Sequence, residues 1–212
     1  KSMAKKLNIT MKLGKEVTAQ EVLALKPYSI LVATGSNVIS IPLEGLDQVQ
    51  TVQAHDVLAN DMQFANKKVV VIGGGITGLE TALYINRQGT NQVSVVDMLP
   101  EWPVDMLDMR YQNEALLEVR HCNDQGVALF YNNKVVKFAD GKLFIESTKD
   151  GEVKELPADV IVLSVGVKPN DALWQELLAS GHPSVWKAGD AIATGKINKA
   201  VLHGSKFGYS LN

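Results

Sequence analysis

The sequence lacks several features that would assign it to a common class of protein. It has one cysteine, Cys122, which excludes an internal disulfide, a C-x-x-C redox pair and any thiolate metal site made by this chain alone. Its net charge is −2 without a long run of either sign, so neither nucleic acid nor an anionic membrane is indicated as a partner. No apolar stretch approaches a membrane span, and the first residues lack the build of a signal peptide. These absences favour a cytoplasmic protein, and we predict no metal site.

The chain does contain enough apolar residues for a core. Of its 212 residues, 46% are hydrophobic, which is sufficient for one large domain or two small ones. No internal repeat or low-complexity segment is visible. The opening Lys1-Ser2-Met3 does not resemble the start of a whole protein, so we expect a fragment of a longer one.

One glycine-rich turn dominates the sequence. The apolar run Val69–Ile72 predicts a buried strand, and Gly73, Gly75 and Gly78 follow it in the pattern G-x-G-x-x-G. In a dinucleotide-binding turn the first glycine permits the tight bend, the second lets a pyrophosphate approach the backbone, and the third lets the helix pack close to the strand. The N–H groups of the helix that follows then face the phosphate charge. The alternative is a glycine turn that serves packing only.

An acidic residue follows at the spacing expected for ribose binding. We predict a helix from about Ile76 to Gln88 and a second strand over Gln92–Val96, which ends in Asp97. Asp97 lies 24 residues after Gly73, where dinucleotide-binding folds carry an acidic residue that binds the adenosine ribose. Aspartates at strand ends are also common as turn formers and caps, so both readings stay open.

The residues before the glycine turn predict a mixed set of elements. We expect a strand over Asn8–Lys12, a short helix over Thr18–Leu25 and a buried strand over Ser29–Ala33. Residues 36–66 show little periodicity and are predicted to form a connecting segment over the surface, with one short helix from about His55 to Asn60.

The residues after Asp97 predict a helix, an antiparallel meander and a return to the sheet. The turn pairs Asp140-Gly141 and Asp150-Gly151 favour hairpins. The predicted helices are Asp108–Cys122, a helix from residue 170 or 171 to Ala179, and Lys196–Ser210; the predicted strands are Val127–Tyr131, Lys134–Phe138, Leu143–Thr148, Val153–Leu156, Val160–Val165 and Ser184–Lys187.

These elements predict an α/β fold in which one domain is inserted into another. The inserted domain, residues 67–162, combines a Rossmann-like parallel sheet with an antiparallel three-stranded meander. Residues 1–66 and 163–212 are expected to form the outer domain.

Several short motifs accompany the glycine turn in a fixed order: Ala33-Thr34-Gly35 before it, and Ser164-Val165-Gly166, Pro169-Asn170 and Ala188-Gly189-Asp190-Ala191 after it. This order resembles the pyridine nucleotide-disulfide oxidoreductase family, whose members use FAD and NAD(P)H. Within it, the segments Lys15–Val22 and His55-Asp56-Val57-Leu58 are similar to the C-terminal part of the old-yellow-enzyme-related NADH:flavin oxidoreductases, which include 2,4-dienoyl-CoA reductase, 2-enoate reductase and relatives of trimethylamine dehydrogenase.

The resemblance implies two cofactor sites. The inserted domain would bind NADH or NADPH, and the outer domain would be a partial FAD-binding domain of the same type. Asp190 would bind the ribityl chain of the flavin, and the final helix would run past the flavin ring. The implied NAD(P)H-site residues are Gly73, Gly75, Gly78 and Asp97, with Gly166 as the far wall; the implied FAD-site residues are Thr34, Gly35, Gly189, Asp190 and Ala191.

The sequence departs from the family pattern where the FAD pyrophosphate should bind. A glycine fingerprint for that group has no counterpart here and would precede Lys1. The branch also implies an upstream flavin barrel with FMN and an iron-sulfur cluster, which would carry the substrate chemistry and be the partner of this chain. An outer domain that lacks a βαβ unit would expose an apolar face, which could pair with a second copy.

The leading hypothesis is an electron-transfer module that passes hydride from NADH to FAD for reduction of an enoate or dienoyl substrate in the upstream domain. The cofactors do this chemistry, so we nominate no catalytic side chain and expect the chain to be inactive alone. The alternative is a non-catalytic module that senses a dinucleotide. A short-chain dehydrogenase is excluded in its usual form, since no tyrosine has a lysine four residues on.

Overall fold

The computed structural model describes residues 6–100 and 109–211, with the backbone alone for residues 109–112. The fold is mixed α/β, as predicted. In chain order the α-helices are α1 (Ala19–Ala24), α2 (Ala54–Ala59), α3 (Ile76–Asn86), α4 (Met109–Asp124), α5 (Ala172–Ala179) and α6 (Ile197–Ser210). The strands are β1 (Ile30–Val32), β2 (Ser36–Val38), β3 (Gln50–Gln53), β4 (Lys68–Ile72), β5 (Gln92–Val96), β6 (Ala128–Phe130), β7 (Asn133–Ala139), β8 (Lys142–Ser147), β9 (Val153–Pro157), β10 (Val160–Leu163), β11 (Val167–Pro169) and β12 (Val185–Lys187).

The chain forms two compact units. The residues up to Asn37 and those from Val167 onward form the outer unit, and Val38–Gly166 forms the inner unit. Each border falls within or beside a short strand, β2 or β11.

A five-stranded parallel sheet is the centre of the inner unit. Its strand order is β3-β10-β4-β5-β6, and β10 pairs with both β3 and β4. Because side chains alternate across a strand, successive residues of β4 pack into different cores. Val69 and Val71 join the cluster that contains residues of α2, α3 and α4, whereas Val70 and Ile72 join the cluster that contains residues of the meander. The sheet is therefore buried on both faces, which explains its continuous apolar runs.

The meander consists of β7, β8 and β9 in antiparallel order. The β7–β8 hairpin turns at Asp140 and Gly141, whose φ angles are 51° and 72°. Two successive left-handed residues are typical of the tight hairpin that Asp-Gly favours, so the predicted hairpin is confirmed. Leu143 and Ile145 of the central strand are fully buried.

The outer unit has a smaller core. β1 pairs in parallel with β12, and β2 pairs with β11. The short helix α1 begins with a capping box, in which Thr18 and Glu21 satisfy each other's backbone N–H groups. The buried residues of this unit's cluster are Ala19, Ile30, Val32 and Leu177.

Two sequence predictions differ from the structure. The strand expected over Asn8–Lys12 is wrong, because this segment has no regular hydrogen bonding and Ile9 is 55% exposed. Residues 36–66 were expected to be a surface connection, but they supply β3, the edge strand of the parallel sheet. The sequence of β3 is Gln-Thr-Val-Gln, and an edge strand of this polarity gives almost no hydrophobic signal.

The remaining element predictions are confirmed within one to three residues at most ends, although the expected helix start at Asp108 lies outside the described residues. The domain borders expected at residues 66 and 163 lie elsewhere than the observed unit borders, since β3 and α2 belong to the inner unit. Among the helices of the described residues, none is long and apolar enough to cross a membrane.

Candidate nucleotide-binding site

Gly73 makes the sharp turn that follows β4. Its φ is +109°, a conformation that side chains rarely adopt, and a Cβ there would lie 2.2 Å from the carbonyl oxygen of Ser164. Its N–H donates to the carbonyl of Val96 at 2.8 Å. Only glycine fits this position, and the turn connects the ends of three neighbouring strands.

Gly75 is open where Gly73 is crowded. It is the N-cap of α3, and a Cβ on it would meet no atom within 4 Å. Its backbone is extended, with φ −69° and ψ 173°, and no side chain caps the helix. The first N–H groups of α3 therefore keep their donor capacity, and an anion can approach them closely. This arrangement fits a dinucleotide pyrophosphate, which needs the space that a side chain at Gly75 would fill.

Gly78 brings the helix against the turn. A Cβ on Gly78 would lie 1.9 Å from the carbonyl oxygen of Gly73, so the close packing of α3 depends on the absence of a side chain. The three glycines thus differ: two are required by the fold, and one leaves open space.

Asp97 lies at the carboxyl end of β5 and faces the glycine turn. Its Oδ2 accepts a hydrogen bond from the Gly74 N–H at 2.5 Å, and its Oδ1 accepts one from the Leu99 N–H at 2.8 Å. The carboxylate is therefore fixed by backbone donors on both sides, and each oxygen retains capacity for a further donor. This geometry suits a turn former, and it also holds an acceptor pair toward the hydroxyls of a ribose.

An open cavity of 540 Å³ lies beside the turn, at the carboxyl ends of the sheet strands. Ligands of open α/β sheets bind in this position. The cavity brings together four of the five residues predicted for NAD(P)H; Gly78 supports the turn from behind. The lining residues are Ile39, Ile41, Ile72, Gly73, Gly75, Val96, Asp97, Met98, Leu99, Asn133, Lys134, Val135, Ser164, Val165 and Gly166.

Part of this lining was not predicted from the sequence. Asn133, Lys134 and Val135 enter the cavity from β7, because the Asn133 N–H donates to the Asp97 carbonyl at 2.9 Å and joins the meander to the end of β5. Lys134 forms an ion pair with Glu146 at 2.8 Å on β8. No local motif marks these residues, since their position depends on contacts across more than thirty residues of chain.

The predicted FAD-site residues lie in the outer unit. Thr34 donates a side-chain hydrogen bond to the Asn170 carbonyl, and the Asn170 N–H donates to the Gly35 carbonyl at 3.0 Å. Gly35 has a φ of +75°, which a turn of this kind favours in glycine. The Thr34-Gly35 and Pro169-Asn170 motifs, distant in sequence, therefore meet in the structure.

The Gly189-Asp190-Ala191 motif forms a single 3₁₀ turn after β12. The Asp190 carboxylate accepts from the Gly195 N–H at 3.1 Å and from the Ser36 hydroxyl at 3.4 Å. The Gly189 N–H donates to Nδ1 of His203 on α6 at 3.2 Å. Both Asp190 oxygens can accept further hydrogen bonds, a chemistry that fits the hydroxyls of a ribityl chain.

The single cysteine has no role at these sites. Cys122 is fully buried on α4, with its sulfur 3.9 Å from the Leu79 carbonyl. Burial raises the pKa of its thiol to about 11, so it is not a nucleophile at neutral pH. Within residues 6–100 and 109–211, no group of His, Cys, Asp or Glu side chains is arranged to hold a metal ion.

A Rossmann-type dinucleotide-binding unit with this glycine turn and strand-end aspartate defines the class of the protein. Residues 2–204 match the pyridine nucleotide-disulphide oxidoreductase family, and the chain belongs to it. Membership implies binding of FAD and NAD(P)H, and the open N-terminus of α3 and the acceptors of Asp190 fit those groups.

Relatives of this chain are flavin oxidoreductases. An NADH oxidase from Thermoanaerobacter brockii is 30% identical over 211 residues, which cover 96% of this chain and 31% of that protein. A cinnamate reductase from Clostridium sporogenes is 28% identical over 180 residues, which cover 82% of this chain and 25% of that protein. A solved structure of 2-naphthoyl-CoA reductase with 2-naphthoyl-CoA superposes with a TM-score of 0.81 at 26% identity, covering 98% of this chain and 30% of that one.

This chain spans between about a fifth and a third of the length of the curated relatives that it matches. The similarity therefore identifies an oxidoreductase module related to NADH oxidase and to enoate and acyl-CoA reductases.

Proposed function

We propose that this chain is the NADH-oxidising part of a larger flavin-dependent reductase. The inner unit binds NADH, and the outer unit contributes the flavin end of an FAD site. The observation that carries this proposal is the open N-terminus of α3: at Gly75 the fold leaves free space and uncapped N–H groups in the wall of a cavity that Asp97 also lines.

The protein's own residues position the dinucleotide. The first N–H groups of α3 bind the pyrophosphate, with the helix dipole behind them. Asp97 accepts hydrogen bonds from the ribose of the adenosine half, because its carboxylate is already oriented by the Gly74 and Leu99 N–H groups. Gly166, across the cavity, leaves room for the extended ligand, since a Cβ there would meet nothing within 4 Å.

The cofactors supply the redox chemistry, in which nicotinamide gives a hydride to flavin without a protein acid or base. Thr34, Gly35 and the Gly189-Asp190-Ala191 turn hold the flavin end, where Asp190 accepts from the ribityl hydroxyls. No side chain of this chain is assigned a catalytic role.

The substrate proposal rests on the relatives. Cinnamate is an enoate, and 2-naphthoyl-CoA is an aromatic acyl-CoA; in both, carbon–carbon double bonds are conjugated with a carbonyl group. We therefore assign an activated alkene of the enoate or dienoyl class as the substrate. The partner is an upstream flavin barrel with FMN and an iron-sulfur cluster, which would receive the electrons. A second copy of the chain is a further candidate partner.

Substitution of Gly75 by valine tests the proposal. The backbone at Gly75 is one that valine adopts, and no atom lies within 4 Å of its Cβ, so Gly75→Val should fold. The side chain would occupy the pyrophosphate space, and the loss of two charge-assisted hydrogen bonds weakens NADH binding by at least about a hundredfold. A fluorescence titration of NADH measures this change.

Gly208→Val is the matched control. Gly208 lies on α6 in the outer unit, and a Cβ there also meets nothing within 4 Å. This variant should bind NADH as the natural chain does. Unchanged NADH affinity in Gly75→Val, with an unchanged circular dichroism spectrum, would contradict the proposal and leave the turn a purely structural feature.

A further inference from the structure

Asn133 is a buried side chain with an unfilled hydrogen-bond acceptor beside the cavity. The residue is 8% exposed, it lines the cavity, and its Oδ1 is buried without a hydrogen-bond donor among the described residues. Leaving a buried polar atom unpaired is costly, and such an atom in a folded protein calls for an explanation. A ligand that enters the cavity can supply the donor.

The orientation of the Asn133 amide follows from its other partner. Its Nδ2 donates to the carbonyl of Tyr131 at 2.7 Å. A carbonyl oxygen can only accept, so the NH₂ group must face Tyr131 and the oxygen must be the atom left over. The unpaired group is therefore an acceptor, and its partner in a ligand is an N–H or O–H donor.

The surroundings of Asn133 indicate that its oxygen contacts the base of a nucleotide and not the sugar. The Asn133 N–H donates to the Asp97 carbonyl at 2.9 Å, which places Asn133 next to the ribose-binding carboxylate. Asp97 already offers two acceptor oxygens for the ribose. The lining of the same cavity includes the apolar residues Met98, Leu99 and Val135, which suit a flat aromatic ring. Adenine carries an exocyclic N6 amine that can donate to an amide oxygen.

We propose that Asn133 recognises the exocyclic amine of adenine and so makes the site selective for adenine dinucleotides. This inference rests on the proposed function of the cavity as the NADH site. Asn133 is a specificity residue: it accepts from the base, remote from the reacting nicotinamide.

The test compares NADH with its hypoxanthine analogue, nicotinamide hypoxanthine dinucleotide in the reduced form. The analogue carries a carbonyl oxygen in place of the amine and a hydrogen on the neighbouring ring nitrogen N1. At the position of the amine it therefore offers an acceptor, which cannot bond to the acceptor oxygen of Asn133. The natural chain should bind NADH about tenfold more tightly than the analogue. The readout is the ratio of the two dissociation constants in one protein, because a general loss of affinity cancels from it.

Two variants separate recognition from folding. Asn133→Leu removes the acceptor, and the ratio should fall to about one. Asn133→Asp keeps an acceptor oxygen but loses the NH₂ group that donates to the Tyr131 carbonyl, so we expect it to be less stable than the natural chain. In the folded variant the ratio should stay at about ten or above, even if the added negative charge weakens the binding of both ligands. Thermal unfolding followed by circular dichroism shows whether each variant is folded. If Asn133→Leu does not fold, the natural chain and Asn133→Asp still decide the question.

A ratio near one in the natural chain, or an unchanged ratio in folded Asn133→Leu, would overturn this inference while leaving NADH binding intact. Failure of the natural chain to bind NADH at all would instead overturn the proposed function together with it. Gly75→Val should weaken both ligands equally, which distinguishes the pyrophosphate contact from recognition of the base.

Discussion

The two compact units differ in how much apolar surface each one buries. Among the described residues, the inner unit has two clusters with sixteen and nine buried residues, whereas the cluster of the outer unit has four. The outer unit also carries strongly exposed apolar side chains, with Leu13 at 71% and Ile197 at 82% exposure. Large exposed apolar surfaces commonly mark sites of interaction.

The two units also differ in the parts of a cofactor site that each one supplies. The inner unit supplies an open five-stranded sheet covered on both faces and a cavity lined by Gly73, Gly75 and Asp97. The outer unit supplies residues suited to the flavin end, but the sequence has no second glycine fingerprint for the FAD pyrophosphate. The expectation that its exposed apolar surface packs against another segment or a second copy stays a prediction.

The largest expected effect concerns FAD. We expect this chain alone to hold FAD poorly, because its sequence has no second glycine fingerprint to bind the adenosine diphosphate end. Each missing hydrogen bond to that charged group is worth about 1.5–3 kcal/mol, and losing two or three weakens binding by several powers of ten. The visible absorption spectrum after incubation with excess FAD and desalting measures retention. A stoichiometric flavin band would contradict this prediction and show that the chain alone binds FAD tightly.

A pair of identical substitutions tests the contrast in packing. Ile161 is fully buried in the inner unit, so Ile161→Ala should lower the free energy of unfolding by about 2–5 kcal/mol. Ile197 is 82% exposed in the outer unit, so Ile197→Ala should change it by less than about 0.5 kcal/mol. Denaturant titration measures both variants.

The reactivity of the Cys122 thiol gives a second test of the difference in packing between the two units. Its pKa is raised to about 11 by burial in the inner unit, so at pH 8 the native thiol should resist labelling by a disulfide reagent. Ile161→Ala should raise the labelling rate, and Ile197→Ala should leave it unchanged. Rapid labelling of the natural chain would show that the inner core opens easily and would contradict this interpretation.

The smallest effect lies within the dinucleotide site. Asp97 would meet the 2′-phosphate of NADPH with like charge, and two unit charges about 4 Å apart at an effective dielectric near 20 interact by roughly 4 kcal/mol. After solvation and rearrangement we expect NADH to bind about tenfold more tightly than NADPH. Glu146→Gln should narrow this preference, because it releases Lys134 from its 2.8 Å ion pair at the cavity wall. Parallel titrations of both nucleotides measure it; tighter NADPH binding to the natural chain would contradict the role of Asp97.

Local patterns explain why much of the fold was predictable. The turn at Gly73 and the hairpin at Asp140-Gly141 require particular backbone conformations, and few residue types adopt them. Val160–Leu163 is apolar throughout because both faces of its strand are covered. In contrast, β3 has a polar sequence and joins the sheet only because β10 offers it a free edge.

The candidate site likewise contains features that the sequence predicts and features that it does not. The sequence by itself determined the glycine turn, the helix that follows it and the strand-end aspartate, because these depend on residue types at fixed local spacing. Only the tertiary structure decided which atom crowds Gly73, since the carbonyl oxygen of Ser164 belongs to a segment far along the chain. It also decided that Asn133 and Lys134 reach the cavity. Those residues reach the cavity because the meander pairs with the end of a strand that is distant in the sequence. Such a contact forms only on folding, so no fixed residue spacing in the sequence predicts it.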